Sequence, residues 1–436
     1  MIIASIDKTQ AVQYIGVVKK QNKKILVVCQ HYWPETFRIT DICEGLVENG
    51  YDVDVLCGIP NYPGGKFFEG YSYTKHRRQV QNGVNIRRAF EIPRGNNSNF
   101  RILLNFISFP LASLTHMRRL AKQKYDRILV YQLSPVFMAY MPIRLAKKTK
   151  TPLYIYICDF WPHSLFSIFN FKNERLRKWL TNMSYWHYRQ ADGLIGVFEG
   201  IAERLHTLVG IPEEKITYIP QVCEKIYEQQ IHDPALEQRF CDGKFNIVFA
   251  GNINPAQSFD TVTAAAKKAK DKGYTDIRYI ILGEGMSKQW LMDEVGKLGM
   301  ADDWVFEGLV PVAEVPKYQT IADALLVALS KSDLFAYGIP AKVQSYMASG
   351  KPVISAMDGA GKDLINDSGC GISVPSGDVD GLADVIMRIH DMPQEDRLAM
   401  GGKGRDYHFA HFERNANLQK LIDFVFGPPT DYSGST

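Results

Sequence analysis

The chain has 436 residues, 46% of them hydrophobic and 22% charged, which supports two domains with separate cores and excludes a disordered or fibrous protein. Its formal net charge of +4 hides a split: residues 1–221 carry 30 Lys and Arg against 17 Asp and Glu, and the remainder carries 21 against 30. A net +13 followed by a net −9 suggests that the first half meets an anionic partner such as a lipid headgroup surface, a pyrophosphate or nucleic acid.

Residues 1–23 lack the apolar stretch of a signal peptide and read as an N-terminal extension. Lys24–Cys29 is an apolar run, followed by Tyr32-Trp33-Pro34-Glu35 and the helical pattern Ile39, Ile42, Leu46, Val47, closed by Gly50. Further strand signals stand at Val53–Leu56, Ile86–Phe90, Ile128–Tyr131, Leu153–Cys158, Leu194–Val197 and Ile216–Ile219, with helices over Met138–Lys148 and Ile201–Leu208. Strands that are apolar throughout and alternate with helices predict a parallel sheet covered on both faces. Residues 99–124 set Phe100, Ile102, Leu103, Leu104, Phe106, Ile107, Phe109, Leu111 and Leu114 beside Arg101, Arg118, Arg119, Lys122 and Lys124. This composition fits an interfacial helix interrupted near Pro110, and equally a buried domain helix; the neighbouring basic clusters favour membrane contact.

The pattern restarts at Asn246–Gly251, with strands at Tyr279–Leu282, Val305–Phe306, Ala324–Ala328, Val353–Ala356 and Gly371–Val374. A second doubly wound domain follows, with the boundary near residues 221–244. The pattern therefore predicts an extension at 1–23, domains at 24–222 and 223–410, and a disordered tail at 427–436; a C-terminal helix over 411–426 is expected to pack back on the first domain. Facing domains of this class bind ligands outside the carboxyl ends of their strands, which places the site in the cleft between them. Gly338–Ile354 is the most informative stretch: Pro340 opens a helix, Lys342 lies in its first turn, Gly350 ends it, and Pro352-Val353-Ile354 starts a buried strand. Free N–H groups at such a helix start attract phosphate, Lys342 adds a full charge, and Ser345 shares its face.

Seven cysteines, odd in number and widely spaced, read as reduced core residues, and none stands at zinc-ligand spacing. Asp52-Val53-Asp54 falls within a strand and Asp378-Val379-Asp380 at a helix start, so neither forms a metal-binding pair; no metal and no cofactor is expected. No apolar run reaches the ~18–20 residues of a membrane span. Nucleic acid is not expected as a partner, because no recognition helix or aromatic platform accompanies the basic groups.

The restart of the α/β pattern, Gly350-Lys351-Pro352-Val353-Ile354 and Gly283-Glu284-Gly285 resemble glycosyltransferase family 4, with its two-domain GT-B fold. Tyr32-Trp33-Pro34-Glu35, Arg38, Gly58–Pro63, Asp159-Phe160-Trp161-Pro162 and Pro340-Ala341-Lys342 look like the L-fucosamine-type transferases of bacterial colanic acid, O-antigen and capsule assembly. The resemblance implies two Rossmann-like doubly wound domains facing across a cleft. It also implies a retaining, metal-independent transfer from a nucleotide-sugar donor, UDP-linked by preference, to a lipid-linked glycan acceptor at the cytoplasmic face of the membrane. Two departures stand out. Tyr337 and Ser345 occupy the positions of a glutamate pair, and Asn252 and Gln257 those of a basic pair that faces the diphosphate. Lys342 and Lys331 are then the candidates to carry positive charge to the leaving group.

On this reading Asp159 orients or deprotonates the acceptor hydroxyl, or else caps a helix, and His163 assists proton traffic. The donor site draws on Lys342, Lys331, Ser345, Asn252, Gln257, Gly283, Gly285, Leu309 and Arg38, while Phe106, Phe109, Arg118 and Arg119 meet acceptor or membrane. A non-catalytic glycan-assembly partner and a sugar-nucleotide epimerase are the alternatives.

Overall fold

A computed structural model describes residues 21–96, 98–168, 173–331 and 338–427. Most of the N-terminal extension, Tyr337 and the tail from residue 428 lie outside them. The first half holds an eight-stranded sheet: β1 (Lys24–Val28), β2 (Asp52–Cys57), β3 (Arg78–Gln81), β4 (Val84–Arg88), β5 (Arg127–Gln132), β6 (Leu153–Ile157), β7 (Gly193–Gly196) and β8 (Ile216–Tyr218). Their order is β3-β4-β2-β1-β5-β6-β7-β8, parallel except for the edge hairpin β3-β4. The second half holds β9 (Phe245–Ala250), β10 (Ile277–Leu282), β11 (Trp304–Gly308), β12 (Ala324–Ala328), β13 (Val353–Ala356) and β14 (Gly371–Val374), all parallel, in the order β11-β10-β9-β12-β13-β14. The central strands are apolar because helices cover both faces of each sheet, and Leu26, Val27, Leu325 and Leu326 are wholly buried, while the edge hairpin β3-β4 carries polar and charged residues. In each sheet the order reverses at the first strand, β1 or β9, and the carboxyl ends of those strands open a crevice.

Each half has its own core, and the last helix, Arg414–Phe426, belongs to the first one. Leu418, Leu421, Ile422 and Val425 are buried there, and Tyr51 stacks on Phe426 at 4.4 Å. The guanidinium of Arg414, nearly buried, donates to both Asp41 oxygens at 2.8 and 2.9 Å and to Glu48 at 3.0 Å. The chain thus crosses between halves after β8 and again before Arg414, which ties the two sheets to one cleft.

Two sequence expectations need correction. The helix after β4 runs unbroken through Pro110, from Asn99 to Ser113. Proline removes one main-chain donor, but Phe109 beside it is fully buried, and this packing holds the turn together. Of the seven cysteines, none paired, Cys241 is exposed; it follows the short helix Pro234–Phe240 at the domain junction and is no core residue. Among the described residues no helix is long and apolar enough to cross a membrane.

Candidate active site

Among the described residues, two openings between the halves stand out, and their charge separates them. The larger, of about 670 Å³, is lined by Glu199, Glu203 and Asp363 against Lys420 and His411. An anion is poorly placed among three carboxylates. The other, of about 490 Å³, is lined from the first half by Phe37, Arg38, Tyr131 and Cys158, and from the second by Gly251, Gln319, Lys342 and Ser345. It lies at the carboxyl ends of the two sheets.

Lys342 reaches it from the first turn of the helix Ala341–Ser349, which Gly350 ends in the left-handed region at φ 73°. Pro340 is the N-cap, one residue earlier than the expected first helical position. The Lys342 ammonium lies 3.9 Å from the centre of the Phe249 ring and donates to Gln257 Oε1 at 2.5 Å. It also closes over Gly251, where a Cβ would stand 3.1 Å from Nζ. The residue as a whole is only half-buried, yet its charged end has no carboxylate partner among the described residues. Burial therefore lowers its pKa to about 7. A lysine that loses water without gaining a counter-charge is poised to recover its proton when an anion arrives.

The glycine turn beneath it is built by close approach. A Cβ on Gly283, at φ 137°, would lie 1.9 Å from the Gly251 carbonyl oxygen, so only glycine lets the loops after β9 and β10 touch. A Cβ on Gly285 would meet both the Ile253 carbonyl and the Asn252 carboxamide. Asn252 thus shapes the turn, and Gln257 holds Lys342. Ser345 Oγ donates to the Lys342 carbonyl at 2.9 Å and keeps its lone pairs for a donor from the cavity. Gln319, on the helix Val315–Thr320, is 1% exposed, lines the cavity, and has neither carboxamide atom bonded among the described residues.

Other candidates stand apart. Lys331 is exposed and outside the cavity lining. Leu309 is 78% exposed after β11, and Val312 and Val315 line the cavity in its place. Arg38 lines the cavity but is already engaged: it donates to the Val222 carbonyl, approaches the Ala341 carbonyl at 3.4 Å and pairs with Glu224 at 3.5 Å. Burial would lower its pKa, yet Glu224 holds it above the usual value. It fastens the interdomain crossing to the second domain. Asp159 follows β6 and accepts a hydrogen bond from Ser134 Oγ, which accepts one from Trp161 Nε1 at 2.8 Å. The next helix begins only at His163, so Asp159 is not its cap. His163 bonds Tyr185 Oη at 3.0 Å and stacks on Phe160; burial first, then Arg204 and Arg177, lower its pKa. Phe109 is fully buried and Phe106 lies under the Arg94 guanidinium, so neither faces outward as expected; the helix turns its other face to solvent.

A polar network in the first half escaped sequence reasoning. Gln30 donates to Glu91 at 2.7 Å and to Asn105 at 2.9 Å, and Asn105 donates to Glu91 at 2.6 Å. Beside it Glu35 accepts from the Asn61 and Tyr62 amides at 2.8 and 2.7 Å and bonds His31 at 3.1 Å. Burial pushes the Glu91 carboxyl up to about 7. The available signal was Gln30-His31, two polar residues directly at the end of an apolar strand.

Known proteins share this fold. Residues 36–221 match the model described as glycosyl transferase 4-like domain, and residues 237–407 match that of glycosyl transferases group 1. The chain is 22% identical over 347 residues to a Pseudomonas aeruginosa protein named as a probable glycosyltransferase, WbjE, covering 77% of this chain and 83% of that one. It is 22% identical over 419 residues to WcaI of Escherichia coli, named for colanic acid biosynthesis as a glycosyl transferase, covering 93% of this chain and all of that one. The crystal structure of Anabaena HepE in complex with UDP superposes with a TM-score of 0.66 at 14% identity, covering 92% of this chain and 98% of that one.

Proposed function

This chain belongs to the glycosyltransferases with a 4-like and a group 1 domain, and from that premise we propose that it transfers a sugar from a UDP-sugar, with retention, to a lipid-linked glycan in bacterial surface polysaccharide synthesis. The reading is supported by solved neighbours of the same GT-B fold, HepE among them in complex with UDP, and by relatives named for polysaccharide assembly. The observation that carries it is Lys342, a dry ammonium at a helix N-terminus in the interdomain cavity. As the glycosidic bond breaks, the diphosphate gains negative charge. Lys342 and the free amides of the first helical turn neutralise it there, without a divalent metal. Gln257 and Phe249 hold the ammonium in place, Ser345 accepts from a donor hydroxyl, and Gln319 offers one hydrogen-bond donor and one acceptor to a nucleobase edge. Asp159, held by Ser134, takes the proton of the acceptor hydroxyl or orients it.

The test is release of UDP in the presence of EDTA. The wild type turns over, and Lys342→Ala, which keeps its fold, loses turnover by about two to three orders of magnitude, or ~3–4 kcal/mol of barrier. Undiminished UDP release by the variant, or a requirement for manganese, defeats the reading. Product formed without any acceptor would favour an epimerase.

A further inference from the structure

The helix Asn99–Ser113 carries an apolar face that none of the described residues covers. Phe100, Leu103, Ile107 and Leu111 are 68, 51, 39 and 61% exposed. Their spacing of three, four and four residues puts them on one side, while Asn105, Phe109 and Ser113 on the opposite side are fully buried. The chain continues past Leu114 into a short helix, Met117–Leu120, that presents Arg118 and Arg119, both exposed.

Beside this helix, like charges are pressed together. Arg78 and Arg87 are direct partners across the antiparallel β3-β4 hairpin, an arrangement that costs stability unless something anionic lies nearby. Arg119 feels both: Arg87 first, then its own burial and Arg78, lower its pKa. His116 is lowered by burial and by Arg77, Arg87, Arg119 and Arg78. Among the described residues no carboxylate pairs with Arg78, Arg87, Arg118 or Arg119. Val80, on the hairpin face that also carries Arg78, is 66% exposed. An apolar ridge flanked by unneutralised arginines matches one kind of partner, a bilayer with anionic headgroups: acyl chains take the ridge and phosphates take the guanidinium groups. A nucleic acid would leave the ridge in water.

We propose that Phe100, Leu103, Ile107 and Leu111, with Arg78, Arg87, Arg118 and Arg119, form a docking face for an anionic lipid bilayer. The inference deepens the proposed function and rests on its lipid-linked acceptor. Asn105, on the buried side of the same helix, belongs to the polar network at the carboxyl ends of the first sheet, so the docked helix sits beside the cleft.

The experiment is flotation of the full chain with vesicles of phosphatidylglycerol and phosphatidylethanolamine, against phosphatidylcholine alone, with UDP binding measured by calorimetry on the same samples. The wild type floats with the anionic vesicles, and less so as salt rises. Leu103→Glu/Leu111→Glu and, separately, Arg78→Glu/Arg119→Glu each lower binding by about tenfold or more. Both variants bind UDP as the wild type does. Wild-type protein that stays unbound, or variants that float equally well, overturns the proposal. So does a dimer in light scattering that Leu103→Glu/Leu111→Glu dissociates, which would assign the face to a second copy. Protein that floats yet binds no UDP leaves the docking face standing and removes the donor reading.

Discussion

At the carboxyl ends of the first sheet most of the buried polar groups bind one another: Gln30, Glu91 and Asn105 form a triangle in which Gln30 Oε1 and Glu91 Oε2 stay unbonded among the described residues, and Glu35 is held by three amides and a histidine. At the corresponding ends of the second sheet the polar groups are left open: Gln319 has no partner among the described residues, and Lys342 has one carboxamide and a ring face but no counter-charge. Buried polar groups are ordinarily satisfied because an orphan costs ~1–3 kcal/mol. The contrast teaches where each half spends its polarity. The first half uses it to fix loops, and the second reserves it for a ligand.

Breaking that comparison starts with the largest effect, the loss of turnover in Lys342→Ala, which removes the open charge and leaves the closed network untouched. On the other side, Glu91 carries a pH dependence of folding. Its folded pKa of about 7 lies above the ordinary glutamate value of 4.5, so its contribution is fully present below pH ~4.5 and is lost as pH rises through about 7. Denaturation of the wild type should show about 3 kcal/mol lost across that window, and Glu91→Gln should remove the slope without changing UDP affinity. A slope unchanged in the variant would mean that the triangle is not what titrates. Smaller still, Gln319→Leu should raise the donor KM about tenfold while leaving thermal stability equal or higher, because it removes an orphan and not a satisfied bond. A fall in melting temperature with unchanged KM would place Gln319 among the closed groups instead.

The two sheets were legible because parallel strands buried on both faces read as continuous apolar runs, and Lys342 because Pro340 and Gly350 punctuate its helix at both ends. The triangle was not, since Gln30, Glu91 and Asn105 lie on three separate segments and no local pattern links them. The protein partners of Arg38, the Val222 carbonyl and Glu224, were not legible because they stand about 185 residues away along the chain. The outward face of Asn99–Ser113 was assigned to Phe106 and Phe109 by composition; treating Pro110 as a break hid the helical phase that turns Phe109 inward and leaves Leu103 and Leu111 in solvent.

The central claim is that Lys342 supplies the charge that meets the diphosphate. Its lowered pKa means that at pH 8 the free protein holds it mostly neutral, and an arriving diphosphate must bring the proton back. Titrating UDP at pH 8 by calorimetry in two buffers of different ionisation enthalpy counts that proton directly. The wild type is predicted to take up about one proton at pH 8, where UDP is already fully ionised, and Lys342→Met none. UDP binding without proton uptake at pH 8, or with the same uptake in Lys342→Met, would contradict the account.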